Sequence, residues 1–118
     1  MATKKKVIDL LKKYPSIKRV ASNISDEKLT ELEKKEDNHS KNIYLICGLY
    51  RDINVALDKL NSEEYSFIYD RYLSGEKVTA YQIHSEMNIS ADNYYRHLNA
   101  ALFNFCKSFR EGLLFVTG

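Results

Sequence analysis

Val7, Leu10, Leu11 and Tyr14 fall at steps of three, one and three, so the chain opens on a helix with a single apolar stripe, with Thr3 placed to cap it. Pro15 interrupts or restarts that helix, and Ile17 and Val20 extend the stripe. Residues 21–39 are the most polar part of the chain. Within them SDEKLTELEKK predicts a helix from Ser25, with acids in its first turn and lysines in its last, as the helix dipole favours. Leu29 and Leu32 are its buried side. EDNHS reads as a linker or turn, which divides the chain into residues 1–39 and 40–118.

Beyond Ser40 the pattern strengthens. Ile43, Ile46, Cys47, Tyr50, Ile53, Ala56, Leu57 and Leu60 recur at helical spacing and predict a long core helix. Asn61 with Glu64 three residues on has capping-box geometry, and Leu60 with Tyr65 stands where a hydrophobic staple would be. The next helix, residues 62–73, is expected to bury Tyr65, Ile68, Tyr69 and Tyr72 or Leu73, and to end at Ser74-Gly75. Thr79 and Gln82 form a second capping box, with Val78 and Ile83 as its staple. The helix they start runs to about Met87. Asn88 tolerates the left-handed conformation of a sharp exit, and Ser90 caps a last helix from Ala91 to about Arg110.

Composition agrees with this reading. The 118 residues include one proline, four glycines and no tryptophan. With so few helix breakers, an all-α fold follows: a small bundle of about five helices with a C-terminal helix-turn-helix over residues 79–106. Cys47 and Cys106 match no metal or redox spacing, lie on apolar stretches and are expected as buried free thiols. His39 and His97 have no partner at ligand spacing, so no metal or cofactor is expected. No apolar run approaches the ~18 residues that span a bilayer, and no signal peptide is present, which points to a cytoplasmic protein that does not use a membrane.

Charge changes the picture through its distribution. The net charge is only +2, but residues 1–20 carry seven basic side chains against Asp9 alone, a local +6 that leaves −4 for the rest. Lys4, Lys5 and Lys6 open this basic stretch, which can bind phosphate or an acidic membrane surface, or stand as a solvated helix face.

The segment NISADNYYRHLNAALFNF, residues 88–105, carries the functional signal. A short helix, a three-residue turn and a longer helix make a helix-turn-helix candidate. Ile83 and Met87 supply the inner face of the first helix, and Ile89 plugs the angle between the two. Tyr94, Leu98, Ala101, Leu102 and Phe105 form the inner face of the second. His84 stands where a small residue is usual, so it must tilt the helices or turn its ring to the rim. Ala91, Asp92, Asn93, Tyr95, Arg96 and Asn99 are left facing outward. Asn can pair with adenine, Arg with guanine, and Tyr can touch phosphate. The expected DNA-binding set is therefore Ser90, Ala91, Asn93, Tyr95, Arg96 and Asn99, with Thr79, Tyr81 and Gln82 from the first helix and Lys4, Lys5 and Lys6 from the basic stretch.

Residues 60–105 resemble the C-terminal half of the ArpU/RinA-type phage transcriptional regulators, which are similar in turn to the fourth region of bacterial sigma factors. The likeness rests on Arg71-Tyr72-Leu73 before a short turn, on the run from Ile83 to Ser90, and on Tyr94-Tyr95-Arg96 with Ala101-Leu102. KKKVIDLLKKYP, from Lys4 to Pro15, is also similar to the opening basic helix of that group. The resemblance implies a DNA-binding activator of late genes in a phage, prophage or related mobile element, reading a promoter or operator through Asn93, Tyr95, Arg96 and Asn99. Host RNA polymerase and a second copy of the chain are further candidate partners.

Two alternatives stand beside this. The helices could form a protein-interaction module, with the apolar tail after Gly112 either used in dimerisation or folded back through Leu113, Leu114 and Phe115. The helix-turn-helix could instead serve DNA recognition for genome packaging. An enzyme is not expected, because no paired carboxylates, nucleophile–base arrangement or Gly-rich phosphate loop stands in the sequence.

Overall fold

The computed structural model describes residues 2–112. Among these residues there are seven α-helices, a π-helical turn and a closing 3₁₀ turn, with no strand. The helix count exceeds the expected five in part because Lys13 and Pro15 split the first helix. α1 spans Ala2–Lys12 and α2 Tyr14–Ala21, with Pro15 in the first turn of α2, where its missing N–H removes no helical bond. Thr3 lies inside α1 rather than ahead of it. α3, Asp26–Lys34, starts at Ser25, whose side chain accepts from the Lys28 amide at 3.1 Å. Leu32 is buried beneath it and Leu29 is half-buried.

The EDNHS stretch is shorter as a linker than its composition implies. Asp37 accepts from the Ser40 amide at 2.9 Å and starts α4, Asn38–Asp58. Those hydrogen bonds also hold the Asp37 carboxyl below its ordinary range. α2 and α3 pack along α4, while α1 packs on α7 and the π turn. Val7, Leu11, Tyr14 and Ile17 share one core with Ile53, Leu57, Ile68, Tyr94 and Phe105. The Tyr14 hydroxyl donates to Asn54 Oδ1 at 2.8 Å and ties α2 to α4.

α5, Ser62–Ile68, begins on the expected capping box: the Glu64 amide donates to Asn61 Oδ1 at 2.8 Å, and the Asn61 amide to Glu64 Oε1 at 3.2 Å. Its buried face departs from expectation. Phe67, Ile68, Tyr72 and Leu73 are inside, whereas Tyr65 and Tyr69 are exposed and stack on each other at 6.0 Å. The cause is the π turn over Tyr69–Leu73, closed by the Ser74 amide on the Tyr69 carbonyl at 3.0 Å. A wider i→i+5 turn brings residues five apart onto one face, so Phe67 and Ile68 align with Tyr72 and Leu73. Gly75, at φ 82°, then takes the left-handed conformation that turns the chain toward α6.

α7, Ala91–Ser108, packs on α5, and Asn104 Nδ2 donates to Glu64 Oε2 between them. The helix stops short of Arg110, which sits at φ 48° and pairs through Nε with Asp52 Oδ2 at 2.8 Å. Cys106 is buried as expected, but Cys47 is only half-buried, and burial raises both thiols above their ordinary range. The tail from Leu113 onward lies outside the described residues.

Candidate nucleic-acid interface

The Thr79 side chain accepts from the Gln82 amide at 3.1 Å, and Gln82 Oε1 accepts from the Thr79 amide at 2.9 Å. This reciprocal cap starts α6, Ala80–Met87. At the other end Asn88 adopts φ 59°, ψ 43°. Its amide donates to the Ser85 carbonyl at 3.2 Å, and the Ile89 amide donates to the His84 carbonyl at 3.1 Å. Those two bonds are the Schellman termination, which satisfies carbonyls that a helix end otherwise leaves open. Ile89 packs against the core. Ser90 then accepts from the Asn93 amide at 3.1 Å and α7 begins. Asn88, Ile89 and Ser90 are thus the whole connection between two capped helices.

Tyr94, Leu98, Ala101, Leu102 and Phe105 are all buried. Ala91, Asp92, Asn93, Tyr95, Arg96 and Asn99 are all exposed. Arg96 Nη2 donates to Asn93 Oδ1, so these two side chains form one unit a helical turn apart. Tyr94 and Tyr95 point apart, but their rings meet edge to face at 5.2 Å. Tyr94 is fully buried, its hydroxyl has no hydrogen-bond partner, and burial pushes the phenol up to about 12.

His84 is half-buried with its ring between Tyr81, edge-on at 5.3 Å, and Tyr94 at 5.8 Å. A cluster of aromatic rings thus replaces the usual small residue. Met87 does not join the inner face. It is 42% exposed and lies in a shallow cleft with Tyr69, Asp70 and Glu86. His97 stacks on Phe67 at 5.3 Å and lies 3.4 Å from Glu63.

The first-helix candidates divide by role. Thr79 and Gln82 are held in the cap, while Tyr81 is 72% exposed. Lys4, Lys5 and Lys6 are exposed on α1, a helix docked through Val7 and Leu11 rather than a free arm.

Three cations absent from the expected set gather beside the cap. Lys12 from α1, Arg71 from the π turn and Lys77 line one open groove with Tyr72 and Thr79. Arg71 Nη1 donates to the Val78 carbonyl at 3.2 Å, and its guanidinium lies over the Tyr72 ring at 5.4 Å. Lys77 beside the Thr79 cap is the one sequence signal for this groove. Among the described residues no group of three or more His, Cys, Asp or Glu is arranged to hold a metal. No helix of the described residues is long and apolar enough to cross a membrane. Comparison of the chain with protein-family models, with curated proteins and with solved structures finds no match.

Proposed function

We propose that this protein is a sequence-specific DNA-binding transcriptional regulator, with α7 as the helix that enters the major groove. The observation that carries the reading is the contrast along one helix. Every residue assigned to the inner face of α7 is buried, and every residue assigned to the outer face is exposed and begins directly after a rigid turn. A recognition helix needs that division: packing fixes its angle, and its first turns stay free for base edges. Asn93 and Arg96 supply donors and acceptors suited to adenine and guanine edges, and Tyr95 supplies a phosphate contact. The resemblance over residues 60–105 supports activation of phage or mobile-element late genes as the biological setting.

Titration of salt against binding tests this. The chain is expected to prefer the late control region of its own element over random duplex, with affinity falling steeply as salt rises. Equal, weak binding to both at low ionic strength overturns sequence-specific recognition.

A second reading has one specific observation behind it. Within residues 43–50 of α4, Ile46, Leu49 and Tyr50 pack against the core, but Tyr44 and Leu45 face outward, and Leu45 is 65% exposed. An apolar helix surface of this kind suits contact with another protein. Polymerase or a second copy of the chain would fit it without displacing α7 from DNA.

A further inference from the structure

We infer that the groove between the end of α1, the π turn and the start of α6 is a second DNA contact, where Lys12 and Lys77 hold a backbone phosphate outside the segment read by α7. The inference rests on the DNA-binding reading above and adds to it Lys77, with Lys12 as the one member of the basic stretch that lines the groove.

Four observations lead to it. First, the groove is built from separate parts of the chain: Lys12 ends α1, Arg71 lies in the π turn, and Lys77 precedes α6. Core packing of α1 against α7 and the π turn holds these parts in place. Second, two of its three cations are not used internally. Lys12 and Lys77 are exposed, and neither pairs with an acid among the described residues. Arg71 spends one N–H on Val78 and keeps its charge at the groove wall. Glu76 is the one acid in the lining, so three positive charges face one negative.

Third, the groove opens beside the N-terminus of α6. The Thr79 cap takes the Gln82 amide and leaves those of Ala80 and Tyr81, which carry the positive end of the helix dipole. Helix dipole alone could explain a lysine at the end of α1, but it does not explain Lys77. Fourth, the basic side of α1 continues the groove. Lys5 lies seven residues before Lys12 on the same side of α1, about 10 Å away along the axis.

The test uses the full chain with Lys12→Gln and Lys77→Gln combined. Both side chains are exposed, and Arg71 is left alone because it holds the Val78 carbonyl. Each phosphate released contributes about 0.9 to the slope of log affinity against log salt. The double variant is therefore expected to flatten that slope by about 1 on both the control-region duplex and random duplex. The preference between the two duplexes should stay as in wild type. Lys34→Gln with Lys35→Gln, at the end of α3, should leave the slope alone. An unchanged slope in the first variant, with duplex binding intact, overturns the groove and spares the DNA reading. So does equal flattening in both variants. If wild type retains neither duplex at low salt, the DNA reading fails and the groove falls with it.

Discussion

The amide of Ile89 donates to the carbonyl of His84 across the left-handed Asn88, and this bond sets the direction in which α7 leaves α6. Nothing but Ile89 and Ser90 lies between Asn88 and the first residue of α7. The conformation of one asparagine therefore governs how the outer face of α7 is presented.

Asn88→Gly should keep or slightly raise stability, because glycine adopts positive φ freely. Asn88→Val should lower it by about 1–2 kcal/mol or more, since a β-branched residue resists that conformation. Ser90→Ala should cost about 1 kcal/mol through the lost cap. Urea denaturation reads all three, and a valine variant as stable as wild type would remove the strained exit from the account.

Tyr94 offers a test with a pH signature. Its buried phenol, pushed up to about 12, stays protonated in the folded chain where the unfolded chain has begun to ionise. Stability from this group is complete below about pH 10 and is lost as pH rises toward 12. Tyr14, raised to about 12 by burial and by Tyr50, acts in the same window. Tyr94→Phe should therefore unfold less readily in alkali. At neutral pH it should be within about 1 kcal/mol of wild type or more stable, because the hydroxyl it removes has no partner. Circular dichroism across an alkaline titration distinguishes this from a phenylalanine variant that is clearly weaker at neutral pH, which would mean the hydroxyl bonds after all.

Arg96→Ala should lower discrimination between control-region and random duplex by about 1–3 kcal/mol, as expected for loss of a base contact. Asn93→Ala should cost part of the same energy, because Asn93 holds the guanidinium. Competition binding measures both. Equal loss on both duplexes would move Arg96 to the phosphate backbone.

Leu11→Ala should destabilise the whole chain by about 2–5 kcal/mol, because Leu11 is fully buried in the shared core. Thermal unfolding in one transition at lower temperature is the expected result. A wild-type melting curve would mean that α1 is an appendage.

The parts of the fold that the sequence made legible are those set by neighbours in the chain. Capping residues at Ser25, Asn61, Thr79 and Ser90 act over three residues, and each sits where its side chain implied. The inner face of α7 followed from ordinary helical pitch. Phe67 was missed, and Tyr65 and Tyr69 were misplaced, because periodicity assumes a constant pitch and the π turn breaks it. Met87 is exposed although its spacing from Ile83 suits the inner face, because α6 is short and its last turn reaches past the core that buries Ala80 and Ile83. The groove was invisible for a related reason. Lys12 and Lys77 are remote in sequence, and only the docking of α1 brings them to one place.

The wide turn over Tyr69–Leu73 has one more consequence. Each residue of an ordinary helix advances the chain by about 100° of rotation. One extra residue held in that loop of backbone works like a shim in a shaft, resetting the phase of the turn that follows it. Deleting a single residue there would rotate Tyr72 and Leu73 off the side they share with Phe67 and Ile68.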